Sequence, residues 1–369
     1  MKIGIPKETK ADEYRVALLP VGAQLLAADG HEVYIETHAG RGSGYHDSEY
    51  REAGAQVVDS ADAVLEACEL LVKVKEPQPG ELERYPPSLI VFGYFHFAGS
   101  RALTESCLDR SITALAYETL TDARGELPLL KPMSEVAGKM SIQEGAKCLE
   151  KPFMGRGILL GGVAGVPPAN VLVLGAGVVG ANAAKVAAGL GANVTIMDID
   201  IEKLRHIDEI MPDNVTTVYS DPHAVRQFAL QADLVIGALL IPGARAPRLI
   251  RRDMLKEMKR GAVLVDVSID QGGCFETSRP TSHRDPVYVI DDIVHYCVPN
   301  IPGAVGRTSS QALCNATLPY VRKLAGLGLN TFLEEDRGLR QALNVHAGVL
   351  CHPGVAGAFP DLPSRADAR

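Results

Sequence analysis

Short apolar runs of strand length recur along the chain, separated by stretches in which apolar residues return every three or four positions. In the first 130 residues the runs are KIGIP, HEVYIE, LLVKVK, LIVFGYFHF and ITALAYE, with helical spacing between them as in VALLPVGAQLLAADG. That alternation predicts an α/β unit. A second series begins at Asn170, where NVLVLGAGVVGANAAKVAAGLGANVTIMDID reads as strand, glycine turn, Ala-rich helix and second strand. Four further runs follow: NVTTVYS (214–220), ADLVIGALL (232–240), GAVLVDVSID (261–270) and VYVIDDI (287–293), alternating with helical segments such as DPHAVRQFALQ. Together they predict a doubly wound parallel sheet of about six strands.

This series ends at PNIPG (299–303). The roughly 65 residues beyond show helical spacing in SSQALCNATLPYVRKLAGLG and DRGLRQALNVHAGVL, too little for a separate core, so they are expected to return to the first unit. The expected fold class is α/β with two domains. A Rossmann doubly wound parallel sheet occupies 129–303, and a discontinuous α/β substrate domain is built from 1–128 and 304–369. The final GAFPDLPSRADAR, rich in Pro, charge and small residues, is expected to be loose and unimportant to catalysis.

Within the second unit, Gly175, Gly177 and Gly180 form a G-x-G-x-x-G turn between strand and helix. The next strand ends on Asp198, roughly 20 residues past the first glycine. A lone glycine cluster can serve packing only. Here the strand before it, the helix after it and an acid at ribose-binding distance point to a dinucleotide. The carboxylate suits a ribose 2′-hydroxyl and repels a 2′-phosphate, so NAD is expected over NADP, although Lys203 and Arg205 stand close enough to be recruited for that phosphate. DVSIDQGG carries Asp266 and Asp270 at the carboxyl end of another strand, before a Gly272-Gly273 pair expected to be flexible. Asp270 is a candidate to meet both nicotinamide and substrate across the domain cleft; its plainer role would be to cap a turn.

The first unit has no glycine fingerprint, and its chemistry lies in cations at strand ends. Ligands of open α/β sheets bind outside the carboxyl ends of the strands. Lys75 closes LLVKVK, and Lys73 lies two positions deeper on the same face. His96 closes LIVFGYFHF on one face with Tyr94, and Arg15 lies in the polar loop ADEYRVALLP after the first strand. Singly, Lys75 could snorkel into solvent, Arg15 could be a surface residue and His96 a hydrogen-bonded core histidine. Jointly they suit a small carboxylate substrate. Arg would hold the anion, Lys would polarise a carbonyl and His would move a proton near neutral pH.

Composition narrows the class. At 369 residues and 46% apolar the chain is long enough for two cores, and a net charge of −8 without a Lys/Arg block argues against nucleic acid. The start, MKIGIPKETK, has no apolar core of a secretory leader, and no run reaches the roughly 18 apolar residues of a membrane helix. Seven scattered cysteines without a C-x-x-C pair fit reduced thiols, so a cytoplasmic protein is expected. No cluster has metal-ligand spacing, and no metal is expected.

The segments MKIGIPKE, EYRVALLP, LLVKVKEP, GYFHFA, the glycine turn through Asp200, VDVSIDQGGCFET and HYCVPNIPGAVGRTSS together resemble the alanine dehydrogenase family, from the first residue to about 350. That family shares its fold with the NAD-binding component of proton-translocating transhydrogenase, whose Arg/Gln/Asp cleft loop has no counterpart in LPLLKPMSEVAGKMS. The resemblance implies reversible oxidative deamination of L-alanine to pyruvate and ammonium with NAD, by a homo-oligomer, typically a hexamer. It implies that Arg15 and Lys75 bind substrate, that His96 is the acid/base and that Asp270 assists. It implies cofactor contacts from Ser134, Gly175, Gly177, Val178, Val179, Gly180, Asp198, Lys203, Ser220, Leu239, Leu240, Asp270, Val298, Asn300 and Ile301. The alternatives are a transhydrogenase component, a 2-hydroxy-acid dehydrogenase and a non-catalytic dinucleotide-binding protein.

Overall fold

A computed structural model describes residues 1–239 and 246–365; Leu240 lies outside the described residues. The chain divides into two compact units, one made of Met1–Met133 with the chain from Gly303 onward, the other of Ser134–Pro302.

In the first unit, β1 (Lys2–Ile5), β2 (Glu32–Glu36), β3 (Gln56–Val58), β4 (Leu70–Val72), β5 (Ile90–Gly93) and β6 (Thr113–Ala116) are parallel, in the order β6-β5-β4-β1-β2-β3. The central β4 and β6 are buried at every residue, which is why LLV and TALA are unbroken by outward polar positions apart from Thr113. Chain order runs from β1 outward to β3 and then returns to the other side of β1 as β4. The boundary between β1 and β4 is therefore the topological switch point of the sheet. Close packing supports this pair: a Cβ on Gly4 in β1 would lie 2.7 Å from the Cys68 Sγ ahead of β4.

The expected return of the C-terminal segment brings more than helices. After the helix Gly306–Leu327 and the shorter Leu329–Glu335 and Arg337–Gln341, two strands extend the sheet, β14 (Leu343–His346) antiparallel to β6 and β15 (Val349–Leu350) antiparallel to β14. LNVH continues a helical spacing by eye, but its Val345 fills the buried cluster containing Val91, Ala114 and Leu350, so sheet packing overrides the local pattern. The final segment is also not loose as far as Arg365. Ser364 bridges to Leu350, Phe359 and Leu362 pack against the cluster holding Phe95 and Phe97, and Asp361 accepts from Arg101 Nη1 and Nη2 at 3.0 and 2.5 Å.

The second unit holds β7 (Asn170–Leu174), β8 (Asn193–Asp198), β9 (Val215–Tyr219), β10 (Leu234–Gly237), β11 (Val263–Asp266), β12 (Val287–Ile290) and β13 (Ile293–Tyr296), in the order β12-β13-β11-β10-β7-β8-β9. This is a seven-stranded sheet rather than one of about six, and β12 is antiparallel to its neighbour. The run VYVIDDI is a strand and a turn: Asp291 and Asp292, at φ 49° and 61°, reverse the chain into β13. Two consecutive left-handed Asp residues make a two-residue hairpin, a signal easily read as polar strand end. The run GAVLVDVSID likewise stops at Asp266, and Val267–Gln271 forms a 3₁₀ turn. KPMSEVAGKMSIQEGAKC, from Lys131, is one 18-residue helix.

Candidate active site

In the second unit the switch point lies between β7 and β10, and the loops after both strands meet there. Gly175 has φ +104°, and a Cβ on it would stand 2.6 Å from the Ala238 carbonyl oxygen; a Cβ on Gly180 would overlap the Gly175 carbonyl. Gly177 differs from both. Nothing lies within 4 Å of where its Cβ would be, and it leads into the helix Val178–Gly189 with no side chain capping the first-turn N–H groups. An open glycine before uncapped amides is a cradle for an anionic ligand such as a pyrophosphate. The donor set fits a dinucleotide.

Asp198 ends β8 and is held by its surroundings: Oδ2 accepts from the Ala176 amide at 2.7 Å and Oδ1 from the Asp200 amide at 2.9 Å. The nearby cations are paired on their own helix. Lys203 stands 3.8 Å from Asp200, and Arg205 lies against Glu202, both pairs well exposed. The Ser220 amide donates to the Asp198 carbonyl at 2.9 Å, and the Leu239 carbonyl accepts from Ser268 Oγ at 2.7 Å. Ser134 lies in the first turns of the helix Lys131–Cys148, which packs so tightly on the glycine-turn helix that a Cβ on Gly138 would overlap the Val179 carbonyl. Val178 is exposed and Val179 half-buried; beyond β13, Val298 and Ile301 are buried and Asn300 is left-handed at φ 57°.

Asp270 is exposed on the 3₁₀ turn after β11. That turn is fixed at both ends by Asp266, whose Oδ1 accepts from the Ser268 amide at 3.0 Å and whose Oδ2 accepts from the Cys274 amide at 3.0 Å and Ser278 Oγ at 2.5 Å. Burial pushes the Asp266 carboxyl up from its ordinary range, against these donors. The Gly272-Gly273 pair answers a backbone requirement. Both residues are left-handed, at φ 88° and 76°, and a Cβ on Gly273 would lie 2.7 Å from Asp266 Oδ2.

In the first unit, strand order sets Arg15, Lys75 and His96 beyond the ends of three adjacent strands, β1, β4 and β5. None of the three sits on the strand itself. β4 stops at Val72, although the pairing continues through Lys73 N to the Phe92 carbonyl (3.0 Å) and Tyr94 N to the Val74 carbonyl (3.1 Å), so Lys75 follows the last cross-strand bond. β5 stops at Gly93, and His96 is left-handed (φ 54°, ψ 41°), exposed, and starts a 3₁₀ turn. Its ring still lies beside that of Tyr94, stacked at 5.8 Å and 4°.

Arg15 is no surface residue: it is 3% exposed and forked onto Glu13, with Nε to Oε1 at 2.7 Å and Nη2 to Oε2 at 2.5 Å, while Nη1 meets Met133 Sδ at 3.1 Å. Burial opposes its charge, but the Glu13 carboxylate outweighs it and holds the guanidinium above its ordinary pKa. Lys73 is buried against Glu8 (3.4 Å) and Glu81 (3.3 Å), and these carboxylates outweigh burial to keep it charged. Glu8 in turn is pushed up, since its own burial exceeds the pull of Lys73. The carboxylates Glu8, Glu13, Glu81 and Glu118 escaped the sequence reading. Glu8 and Glu118 reach the Val74–Lys75 and Phe95–His96 backbone from 66 and 22 residues away, separations at which no local pattern is visible.

Comparison with known proteins fits this architecture. "Alanine dehydrogenase/PNT, N-terminal domain" matches residues 4–137 and "Alanine dehydrogenase/PNT, C-terminal domain" matches residues 141–353. The chain belongs to the alanine dehydrogenase/PNT family. It is 52% identical to the alanine dehydrogenase of Halomonas elongata over 359 residues, 97% of each chain. A solved L-alanine dehydrogenase superposes with TM-score 0.94 at 49% identity, covering 98% of this chain and 99% of the other. A transhydrogenase from Sinorhizobium meliloti, 24% identical with TM-score 0.81 over 96% of this chain and 99% of its own, shares the fold.

Proposed function

We propose that this family member catalyses the reversible reaction of L-alanine, NAD⁺ and water to pyruvate, ammonium, NADH and a proton. The observation that carries the reading is the set of Arg15, Lys75 and His96 beyond three neighbouring strand ends of one unit, with a glycine cradle and Asp198 in the other. Ser134, Gly175, Gly177, Val178, Val179, Gly180, Asp198, Lys203, Ser220, Leu239, Leu240, Asp270, Val298, Asn300 and Ile301 would hold the dinucleotide, which when bound supplies the hydride acceptor. Arg15, pre-oriented by Glu13, holds the substrate carboxylate. After hydride has left Cα, water adds to the iminium carbon while His96 takes its proton, and His96 returns the proton to nitrogen as the C–N bond breaks. Lys75 stabilises the negative charge that grows on the added oxygen, and Asp270 assists the proton transfers.

NAD is the proposed cofactor because the Asp198 carboxylate is fixed by two amides at the end of β8, and a 2′-phosphate beside it would be repelled. Seven free cysteines suit a reducing compartment, which supports a cytoplasmic protein, and the family resemblance supports a homohexamer. NADH consumption with pyruvate, with and without ammonium, tests the activity. Turnover only with ammonium is the expected result; turnover without it would indicate a 2-hydroxy-acid dehydrogenase, and hydride exchange between nucleotides alone a transhydrogenase component. Light scattering gives the oligomer.

A further inference from the structure

We propose that Glu8 and Glu118 are positioning residues, each holding the backbone that presents one substrate-facing side chain: Glu8 for Lys75 and Glu118 for His96. The proposal rests on the roles given to Lys75 and His96 above, and deepens them.

The geometry is the same at both positions. Glu8 follows β1, and its carboxylate accepts from the amides of Val74 (2.6 Å) and Lys75 (3.4 Å), beyond the adjacent β4. Glu118 follows β6, and its carboxylate accepts from the amides of Phe95 (3.2 and 3.3 Å) and His96 (2.6 Å), beyond the adjacent β5. In each case an acid from one strand end takes two successive N–H groups where the neighbouring strand has left the ladder. Such amides would otherwise be unpaired or turned to solvent.

Charge makes these bonds strong, since a carboxylate accepting backbone N–H groups bonds roughly twice as well as a neutral acceptor. At His96 they also offset a cost. A non-glycine residue at φ 54° is disfavoured and persists where surroundings over-determine it. Glu118 does so from one side, while the stacked Phe95 and Phe97 rings (4.6 Å, 10°), buried in the core cluster, hold the other. Left-handed backbone at residue 96 turns the imidazole out to solvent between two buried phenyl rings. At Lys75, Glu8 is itself fixed by Lys73, which Glu81 shares; Glu81 accepts from Thr9 and Tyr85.

The test uses the full-length protein with Glu8→Gln and Glu118→Gln, which keep side-chain shape but turn one acceptor oxygen into a donor that faces an N–H. Hydrogen exchange read by mass spectrometry needs no turnover. Glu118→Gln should speed exchange at Phe95–His96 by about tenfold or more and leave Val74–Lys75 unchanged, and Glu8→Gln should do the reverse. Kinetics should split in the same sense. Glu8→Gln raises KM for pyruvate and lowers kcat, whereas Glu118→Gln lowers kcat by about tenfold with KM little changed. Glu118→Gln added to His96→Ala, and Glu8→Gln added to Lys75→Ala, should each cost less than about twofold more, because residues acting through one group are not additive. Should Glu8→Gln fail to fold, Glu8→Asp retains the charge beside Lys73 and shortens its reach to the amides. Exchange that rises throughout the chain or at neither segment, or full additivity in the double variants, overturns the proposal. A wild-type protein inactive with pyruvate and ammonium would instead remove the functional reading, while the exchange pattern still decides the anchoring.

Discussion

Replacing Lys73 by Met leaves Glu8 and Glu81, 3.4 and 3.3 Å from the lost ammonium, buried without their shared cation. Breaking a buried pair from one side costs about 3–5 kcal/mol. At about 2–4 °C per kcal/mol for a unit of this size, the melting temperature of Lys73→Met should fall by about 6–20 °C. The loss has a pH sign. Glu8 is already pushed above its ordinary pKa by burial and would rise further without Lys73, so its charged form opposes folding. A raised carboxyl contributes stability below the unfolded pKa, near 4.5, and that contribution is lost as pH rises through the folded value. The gap between Lys73→Met and the parent protein should therefore widen from pH 5 to pH 8, measured by calorimetry. Lys75→Ala is the counterpart: kcat for pyruvate amination should fall while the melting temperature moves much less. A Lys73→Met protein that melts normally but has lost turnover, beside a Lys75→Ala protein that keeps it, would refute both assignments and the carboxyl-end reasoning behind them.

Asp198→Ala should narrow the preference for NAD over NADP, read as the ratio of kcat/KM values; comparable values in the parent protein would remove the role given to that carboxylate. His96→Ala should lose about 10²-fold or more in turnover with NADH affinity retained, measured by steady-state rates and fluorescence titration. Phe359→Ala removes a ring packed on the cluster that holds Phe95 and Phe97, so it should lower kcat as well as stability; an effect on melting alone would return the C-terminal segment to a passive role. His295, fully buried between the Ile293 carbonyl (3.0 Å) and Thr277 Oγ1 (2.7 Å), is pushed down to about 4 by burial. The unfolded chain takes up that proton first, so about 3 kcal/mol of stability should be lost as pH falls from about 6.5 to about 4, a slope that His295→Gln flattens.

The parts of this fold that depend on local period were legible in the sequence. Continuous apolar runs such as LLV and NVLVL are what a strand covered on both faces requires, and the glycine turn was legible because its strand, its helix and Asp198 lie close along the chain. What escaped depends on partners far along the chain. β14 reads as helix from its own residues and becomes a strand only because β6 offers an edge. β13 went unread because VYVIDDI looks like one strand to Ile293, and the left-handed state of Asp291 and Asp292 that turns the chain leaves no mark on a polarity pattern. In the candidate site the cations could be found from strand ends, but not their carboxylates. Arg15 looked like a residue seeking a ligand or solvent, whereas Glu13 holds it in the protein interior; Lys73 lay deeper in its strand, but its partners Glu8 and Glu81 were equally out of sight.

The two units share one device at a strand's carboxyl end, an acid that takes an amide beyond the strand, and differ in what they leave open past it. In the second, the Gly175 and Ala176 amides just after β7 go to the Met197 carbonyl and to Asp198, but Gly177 stands open and the helix that follows has no side-chain cap, so its first-turn amides are left to receive an anion. In the first, the amides after β4 and β5 are already taken by Glu8 and Glu118, so in the proposed reading recognition would fall to the side chains. The difference suits the ligands each would hold. A pyrophosphate is large, fixed in charge and unchanged by the reaction, and a ring of amides binds it without discrimination. A small 2-oxo acid changes charge at one oxygen and exchanges protons as it reacts, and only groups that differ in charge and acidity can follow those changes. With Lys75 and His96 in the roles proposed above, filling these amides with carboxylate would also keep a substrate carboxylate from binding the backbone in a wrong register. Glu118→Gln would reopen part of that competition, so acetate, a carboxylate without the reacting carbonyl, should inhibit this variant more strongly than the parent protein. Equal inhibition of the two would show that the glutamate orients His96 without excluding anions from the amides beneath it.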